Sequence, residues 1–133
     1  MEKSVTQSLA DFFSNIEIAT LPDWTLEESK RALINFLGVS LAAVNDHSPG
    51  ILAKWIQSEN SNPEITIIGM EQKSSPVYAA LMNGYLAHLH DFDDTHFPTI
   101  LHPSAPIWPS VLAVAEQRSL TGREALAGFV IGA

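Results

Sequence analysis

The chain repeatedly pairs a helix-start signal with apolar residues at helical spacing, and this alternation restricts it to a largely helical fold. Each signal is a capping Ser or Thr followed by a proline, by a Glu three residues later, or by an apolar helical pattern. The signals are Thr25 with Glu28, Ser48-Pro49, Ser75-Pro76, Ser104, and Thr121 with Glu124. Together with the apolar pattern from Val5 to Ile16, they predict helices that begin near residues 5, 25, 48, 75, 104 and 121.

A single segment has strand character. Ile65-Thr66-Ile67-Ile68 is short and β-branched, and Gly69 ends it. We therefore expect an all-α fold with one short strand or hairpin near residues 64 to 74, as part of a larger helical core. The apolar helical pattern is still running at Ala133, so we expect the chain to be incomplete or to complete its core with a partner.

The charge and composition of the chain exclude several classes of partner. Its 133 residues carry a formal net charge of −8, which repels nucleic-acid phosphates and anionic membrane surfaces. It has no cysteine, which excludes disulfides and zinc–thiolate sites within the chain. The sequence shows neither an apolar signal core near Met1 nor a run of the ~20 apolar residues that span a bilayer. These properties predict a cytoplasmic protein.

Titratable residues are concentrated in the segment that ends the fourth predicted helix and continues into the following loop. The segment contains His88-Leu89-His90-Asp91-Phe92-Asp93-Asp94-Thr95-His96 and then His102-Pro103-Ser104, with four of the five histidines. Such clustering is typical of a functional site. Neighbouring carboxylates and imidazoles can also exchange protons near neutral pH, so the segment is the candidate centre of any chemistry.

Asp91, His102 and Ser104 are the candidate functional residues of this segment. A carboxylate directly after a helix C-terminus opposes the helix dipole, so Asp91 needs another reason to be there. Pro103 holds His102 in an extended conformation just before a helix N-terminus. The free N–H groups at that helix start, beside Ser104, suit a substrate carboxylate. The pattern points to Asp91 and His102 as catalytic residues acting on an organic acid.

The other titratable residues of the segment have structural explanations. We expect His88 to pack or to cap the fourth helix, and one of Asp93 and Asp94 to belong to a solvated turn. His90 suits the dipole at the helix end, where a structural and a functional role are equally compatible with the sequence. His96 is expected to be exposed.

Two metal-binding arrangements are weaker alternatives. His88 and His90 are two residues apart on a predicted helix, where side chains diverge by about 200°, so this pair cannot share an ion. His90-Asp91 resembles the HD motif of helical metal-dependent phosphohydrolases, for which His47 could supply the first histidine. No later acid fits that motif well, so the phosphohydrolase is a minor alternative, and we predict no metal site.

The order and spacing of three short motifs resemble those of the MmgE/PrpD family. The motifs are Asn83-Gly84-Tyr85-Leu86-Ala87-His88, Asp91-Phe92-Asp93-Asp94-Thr95-His96 and His102-Pro103-Ser104. Leu33-Ile34-Asn35-Phe36-Leu37-Gly38-Val39 and the short strand before Ser75-Pro76 extend the likeness over nearly the whole chain.

The resemblance implies an all-helical main domain and a smaller α/β lid domain, usually in homodimers. Residues 1–133 would be the N-terminal part of the helical domain, and the lid would be absent. The implied activity is that of a lyase (dehydratase or decarboxylase) or an isomerase, which moves a proton next to a carboxylate-bearing carbon of a small di- or tricarboxylate. The family generally requires no metal or organic cofactor. By similarity, Asp91, Thr95 and His102 would line the pocket, with Thr95 and Ser104 as substrate-binding residues.

A different class of function remains open beside this one. The chain could be a catalytically incomplete fragment that acts as a helical association module and pairs through its apolar C-terminal face. Turnover of a carboxylate substrate and the mass of the chain in solution would distinguish the two.

Overall fold

The computed structural model describes residues 3–133 and contains six α-helices and one two-stranded hairpin in that range. The helices are α1 (Val5–Ser14), α2 (Asp23–Ala43), α3 (His47–Ser58), α4 (Pro76–His88), α5 (Ser104–Arg118) and α6 (Gly122–Gly132). A 3-10 turn at Ile18–Thr20 precedes α2, and the antiparallel strands β1 (Ile65–Thr66) and β2 (Lys73–Ser74) lie between α3 and α4. The predicted all-α class with one hairpin is confirmed. None of the helices in this range is both long and apolar enough to cross a bilayer.

Two helices begin where their sequence signals predict. At the start of α6, the Thr121 hydroxyl oxygen accepts the N–H of Glu124 at 3.3 Å, and the Glu124 carboxylate accepts the N–H of Thr121 at 2.7 Å. This is the predicted capping box, which satisfies two backbone donors that the helix itself leaves free. Ser75 precedes α4 and Pro76 is its first residue, as the cap-then-proline pattern predicts.

Two other helices begin slightly earlier than predicted. α2 begins at Asp23, so Thr25 lies inside its first turn and donates its hydroxyl to the carbonyl of Pro22 at 2.7 Å. The expected capping box at Thr25 is therefore wrong. α3 begins at His47, which places Ser48 inside the helix and not at its cap. The residues before the two observed starts, Pro22 and Asp46, have non-helical ψ angles of 139° and 160°, so the change to helical dihedrals comes ahead of the sequence signal.

One half of the core lies between α4, α3 and the hairpin. Met82 and Leu86 of α4 pack with Ile56 of α3 and with Ile67, and all four side chains are almost completely buried. Removing apolar side chains of this size from water contributes roughly 1.5–3 kcal/mol each. This cluster therefore fixes α4 as the central helix of the fold.

The other half of the core joins α2, α5 and α6. Its centre is formed by Phe36, Trp108 and Phe129, which are buried together. The indole of Trp108 stacks on the ring of Phe129, with centroids 4.4 Å apart and planes inclined by 6°. The cluster holds α5 and α6 against α2.

The close approach of α4 to α5 depends on Gly84. A Cβ atom at this position would lie 3.3 Å from the carbonyl oxygen of Ala105 and 3.4 Å from Cγ of Pro109, so a larger residue would push the helices apart. The last turns of α4 therefore lie beside the first turns of α5. The loop that joins them, residues 89–103, must fold back over this contact.

Two polar side chains anchor the hairpin to the helices. The buried amide of Asn83 accepts the N–H of Ile68 at 2.8 Å and donates to the carbonyl of Thr66 at 3.1 Å. The carboxylate of Glu116 accepts the N–H and the hydroxyl of Thr66 at 2.9 and 2.8 Å, and it pairs with Lys73 at 3.0 Å. These bonds tie a two-residue pairing, which is weak by itself, to α4 and α5.

Candidate active site

The loop between α4 and α5 brings two histidines from its opposite ends together. His88 is the last residue of α4, and His102 lies two residues before the start of α5. Because the two helices are packed against each other here, the imidazole rings meet edge to face, with centroids 5.5 Å apart and planes inclined by 71°. The pair forms one side of the candidate site.

The carboxylate of Asp93 lies against both imidazoles. Its side chain is completely buried, and one of its oxygens is 3.2 Å from Nδ1 of His88 and 3.4 Å from Nδ1 of His102. The contact with His88 is a hydrogen bond. The contact with His102 has the distance of an ion pair without the alignment of a hydrogen bond, and the buried Nδ1 of His102 has no hydrogen-bond partner among the described residues. A buried carboxylate is costly without facing donors, so these imidazoles make the position of Asp93 possible.

Asp94 is held in place through both its carboxylate and its backbone N–H. Its carboxylate accepts the N–H of Ser104 at 3.1 Å and the hydroxyl of Ser104 at 2.8 Å, and its own N–H donates to the side-chain oxygen of Asn35 at 3.1 Å. The expectation that Asp93 or Asp94 belongs to a solvated turn is therefore wrong. The reason is that Asn35, on the distant helix α2, supplies an acceptor that the local sequence of the loop does not reveal.

Ser104 is the first residue of α5 and not its cap, and it is fully buried. The start of α5 does bind a carboxylate, as the sequence suggests, but in this conformation that carboxylate belongs to Asp94 of the same chain. An anion at a helix N-terminus is stabilised by the dipole and by charge-assisted hydrogen bonds. Both polar groups of Ser104 are thus occupied internally.

Asp91 is exposed and reverses the chain at the end of α4. Its φ of 56° lies in the left-handed region, which costs most L-residues roughly 1–2 kcal/mol and is tolerated best by Asp and Asn after glycine. Its N–H donates to the carbonyl of His88 at 3.1 Å, which closes the turn. After this turn, His88, Asp91, Asp93 and His102 each offer one nitrogen or oxygen atom, and all four atoms lie within 4.8 Å of one another. The structure therefore brings together the two predicted catalytic residues, Asp91 and His102.

We refer to His88, Asp91, Asp93 and His102 as the quartet. Imidazole nitrogens and carboxylate oxygens are ligands of Zn²⁺ in proteins, so these four residues could also hold a divalent cation. The quartet does not contain His90 or His47, the residues on which the HD motif depends. His90 contacts Asp46, the residue that precedes α3.

His88 was missed as a member of the site. Its side chain is 58% exposed and does not pack in the core. The sequence pattern suggests a relation only between His88 and its near neighbour His90. In the structure, the partners of His88 are instead Asp93 in the loop and His102 just before α5. The one available signal was the density of acids and imidazoles in the segment, which does not say which of them converge.

Thr95 and His96 lie further along the loop. Thr95 is half-buried, and its hydroxyl donates to the backbone carbonyl of Asp93 at 3.4 Å, which keeps it adjacent to the quartet. His96 is exposed, which confirms the prediction, and its N–H donates to the carbonyl of Leu101 at 2.8 Å. This bond closes a small turn that carries Phe97, 85% exposed, at the surface.

An apolar groove of about 470 Å³ runs beside the site between α2 and α6. Asn35, Asp94 and Pro103 connect the groove to the loop, and Phe129 and Val130 form part of its apolar wall. Neither Asp91 nor His102 lines it. The quartet therefore lies outside the groove, whereas Asp94, the neighbour of Asp93 in the chain, is part of the groove lining.

The sequence profile described as the MmgE/PrpD N-terminal domain matches residues 7–133, which is nearly the whole chain. The chain belongs to the MmgE/PrpD family. The family resemblance inferred from the motifs around Asp91 and His102 is thereby confirmed. The roles of Asp91, Thr95, His102 and Ser104 within this MmgE/PrpD chain stay predictions.

Several similar proteins are named as decarboxylases. The chain is 31% identical over 137 residues to cis-aconitate decarboxylase of Homo sapiens, with 99% of this chain and 28% of the human protein covered. It is 31% identical to the enzyme of the same name from Mus musculus, again over 99% of this chain and 28% of that protein. It is 27% identical to cis-aconitate decarboxylase of Aspergillus terreus, over 98% of this chain and 28% of that protein. The chain thus spans somewhat more than a quarter of the length of these relatives.

Proposed function

We propose that this chain contributes an active-site wall to a lyase that acts on a small di- or tricarboxylate by moving a proton next to a carboxylate-bearing carbon. The observation that carries the proposal is the convergence of the Asp91 carboxylate and the His102 imidazole within the quartet. Carboxyl and imidazole groups are the side chains that most often serve as general acids and bases in enzymes. Membership of the MmgE/PrpD family supports the same class of reaction.

In this proposal Asp91 and His102 are the catalytic residues. Decarboxylation breaks the bond between a carbon and its carboxyl group, releases carbon dioxide, and leaves an electron pair that must take up a proton. Dehydration instead removes a proton next to the carboxylate and expels hydroxide as water. Either reaction needs a proton donor or acceptor that touches the reacting carbon, and the cis-aconitate decarboxylases among the relatives favour the first.

Thr95 and Ser104 are the proposed substrate-binding residues. Thr95 has a hydroxyl adjacent to the quartet whose 3.4 Å bond to Asp93 is long and easily exchanged. Ser104 could bind a substrate carboxylate only if that group replaced the carboxylate of Asp94, with which it shares its chemistry. Asp94 therefore marks the geometry that a carboxylate adopts at the start of α5.

The charge of the site sets a condition on this function. Asp91, Asp93 and Asp94 are anionic when ionised, and the sequence contains no Lys or Arg between Lys73 and Arg118. An anionic substrate is repelled unless positive charge is supplied nearby. Within that part of the sequence only imidazoles can supply it, so a histidine of the quartet is the proposed partner of a substrate carboxylate.

Ligand binding tests the proposal. The ¹⁵N-labelled chain would be titrated at constant pH with cis-aconitate and with 2-methylcitrate to about 10 mM, above the usual range of KM values. We expect saturable shifts at His88, His102 and Thr95, with His90 as the internal control because it binds Asp46 outside the quartet. Carbon dioxide release would be measured in parallel. If neither acid gives saturable shifts at the quartet, the proposal fails.

A second candidate function is self-association, including the homodimer implied by the family. It is favoured by the apolar groove, whose wall includes Phe129, Val130 and Ala133. Sedimentation or light scattering should then give twice the chain mass of 14.5 kDa, and Val130→Glu should restore the monomer. A wild-type chain that is monomeric at high concentration would rule this candidate out.

A further inference from the structure

We propose that Asp93 is a positioning residue for His102: its buried carboxylate holds the proton of the imidazole on Nδ1 and leaves Nε2 as the nitrogen that exchanges a proton with substrate. The inference deepens the proposed function, because it specifies which atom of His102 acts. It concerns one of the two aspartates, Asp93 and Asp94, of which the sequence predicts one in a solvated turn.

The side chain of Asp93 is buried in a place where a carboxylate needs partners. Its side chain has no exposed surface, and the segment around it contains no Lys or Arg to pair with it. A buried carboxylate that lacks donors is strongly unfavourable. The groups that approach it among the described residues are the Nδ1 atoms of His88 and His102, at 3.2 and 3.4 Å from the same oxygen. The carboxylate is therefore organised around two imidazoles.

The surroundings of Nδ1 of His102 favour a proton on that atom. This atom is buried and has no hydrogen-bond partner among the described residues, although the side chain as a whole is 27% exposed. Nδ1 must either carry a proton or direct a lone pair towards its surroundings. A lone pair 3.4 Å from an anionic oxygen is repelled, whereas an N–H there is attracted and can close to a proper hydrogen bond with a small ring rotation. The Nδ1–H form is thus the neutral form that Asp93 favours.

A proton on Nδ1 determines which nitrogen of His102 can act as a base. A neutral imidazole with its proton on Nδ1 has its basic lone pair on Nε2, and only that nitrogen can then accept a substrate proton. In the Ser-His-Asp triad, replacing the orienting aspartate with asparagine lowers kcat about 10⁴-fold because the histidine takes the wrong tautomer. Asp93 is placed similarly relative to His102: it is buried, one of its oxygens lies 3.4 Å from Nδ1, and it does not itself need to touch substrate.

The tautomer of His102 can be observed directly. Long-range ¹H–¹⁵N correlation spectra of the ¹⁵N-histidine-labelled chain would be recorded at about pH 8.5, where an ordinary imidazole is neutral. We expect an excess of the Nδ1–H form of His102 of about tenfold, which is the size that a charge-assisted hydrogen bond produces. This measurement uses the wild-type chain and does not depend on whether any variant folds. A predominance of the Nε2–H form would overturn the proposal.

Variants separate the carboxylate from the general shape of the site. Asp93→Ala removes the acceptor and should abolish the excess of the Nδ1–H form, while Asp93→Asn keeps the side-chain volume and, as in the triad, should shift His102 towards the Nε2–H form. Asp46→Asn is the matched control, because Asp46 contacts His90 and should alter only the His90 signals. If His102 keeps its tautomer in Asp93→Ala, Asp93 does not position it.

Adding Zn²⁺ to the wild-type chain provides a further check. The proposal expects the Nδ1–H signal of His102 to persist in the absence of metal and after treatment with a chelator. If the Nδ1–H signal of His102 appears only after Zn²⁺ is added, then the quartet is a metal site and Asp93 is a ligand. That result would overturn the proposal. Because the tautomer is read without any turnover, its failure can be distinguished from a failure of the proposed lyase function, which is read from ligand binding.

Discussion

The carboxylate of Asp94 binds Ser104 through two hydrogen bonds, one to the backbone N–H at 3.1 Å and one to the hydroxyl at 2.8 Å. This pairing attaches the middle of the loop between α4 and α5 to the first residue of α5. The N–H of Asp94 is held in turn by Asn35 of α2. Asn35 also donates its side-chain amide to the carbonyl of Phe92 at 3.4 Å. Helices α2 and α5 thus fix the backbone on either side of Asp93, and the geometry of the quartet depends on them.

Asp94→Ala should destabilise the chain by about 1–2 kcal/mol, the range measured for the loss of a helix N-cap. The physical reason is that the buried Ser104 would lose the acceptor of both its N–H and its hydroxyl. The free energy of unfolding would be measured by urea denaturation monitored by circular dichroism.

The control for this variant is Ser75→Ala. Ser75 also precedes a helix, but its side chain makes no capping hydrogen bond to α4. Its replacement should change the free energy of unfolding by less than about 0.5 kcal/mol, because no capping hydrogen bond is lost. Equal effects of the two variants would show that the Asp94–Ser104 pair does not stabilise the helix start.

The relation between Asp94 and Ser104 also shows how far the sequence could predict the site. The start of α5 as a place for a carboxylate followed from the cap pattern and the dipole, and those are local properties of a few neighbouring residues. Which carboxylate occupies it did not follow, because that depends on Asn35 in a helix far away in the sequence. The same limit applies to Asp93, whose burial results from tertiary packing and leaves no trace in the periodicity of a loop.

The parts of the fold that the sequence predicts correctly also depend on local signals. The capping box of Thr121 and Glu124 and the Ser75-Pro76 pair are local signals that the structure reproduces. The displaced start of α2 illustrates the opposite case. Thr25 and Glu28 satisfy the capping pattern, yet the Thr25 hydroxyl bonds to the carbonyl of Pro22 inside a helix that has already begun. A capping pattern therefore locates a helix start only to within a few residues.

Gly69→Ala should destabilise the chain by roughly 1–3 kcal/mol. Gly69 has a φ of 72°, which disfavours any residue with a Cβ, and an added Cβ would lie 2.5 Å from Cγ2 of Val44 and 3.2 Å from Cδ2 of Leu41. Both α2 and the hairpin would have to move apart. Thermal unfolding would give the change in Tm.

Gly38→Ala is the matched control for Gly69→Ala. Gly38 lies inside α2, and nothing is within 4 Å of a Cβ added there. This variant should stabilise the chain by about 0.5–1 kcal/mol, because alanine is the better helix former. The two substitutions are chemically identical, so shifts of the same sign would contradict the role assigned to the conformation of Gly69.

Glu116 should make stability depend on pH in the acid range. Burial opposes its ionisation, but the N–H of Thr66, the ammonium of Lys73 and the hydroxyl of Thr66 outweigh this and lower the pKa of Glu116 below its ordinary value of 4.5. A carboxylate whose pKa is lowered by folding stabilises the folded state above the unfolded pKa, and this contribution is lost as the pH falls through the folded pKa. Glu116→Gln should therefore be less stable than wild type by about 1 kcal/mol at pH 7.

The same difference should shrink as the pH is lowered from 7 to 3, because protonation of the carboxylate removes the advantage that its ionised form gives the folded state. Urea denaturation of wild type and Glu116→Gln at several pH values between these limits would follow the convergence. A difference in stability that stays constant from pH 7 to pH 3 would mean that the side-chain amide of Glu116→Gln destabilises the chain for steric reasons. The charge of Glu116 would then not be what anchors the hairpin.

Asp91→Asn should separate stability from activity. Asparagine tolerates the left-handed φ of 56° as aspartate does, so the free energy of unfolding should stay within about 0.5 kcal/mol of wild type. If Asp91 transfers a proton in the proposed reaction, kcat with cis-aconitate should fall by about 10²–10⁴-fold, the usual contribution of an acid–base group. His90→Ala is the comparison, because His90 is one residue away but contacts Asp46 outside the quartet, and its kcat should match wild type. An Asp91→Asn chain that turns over substrate at the wild-type rate would remove Asp91 from the mechanism, whatever the structure shows of its neighbours.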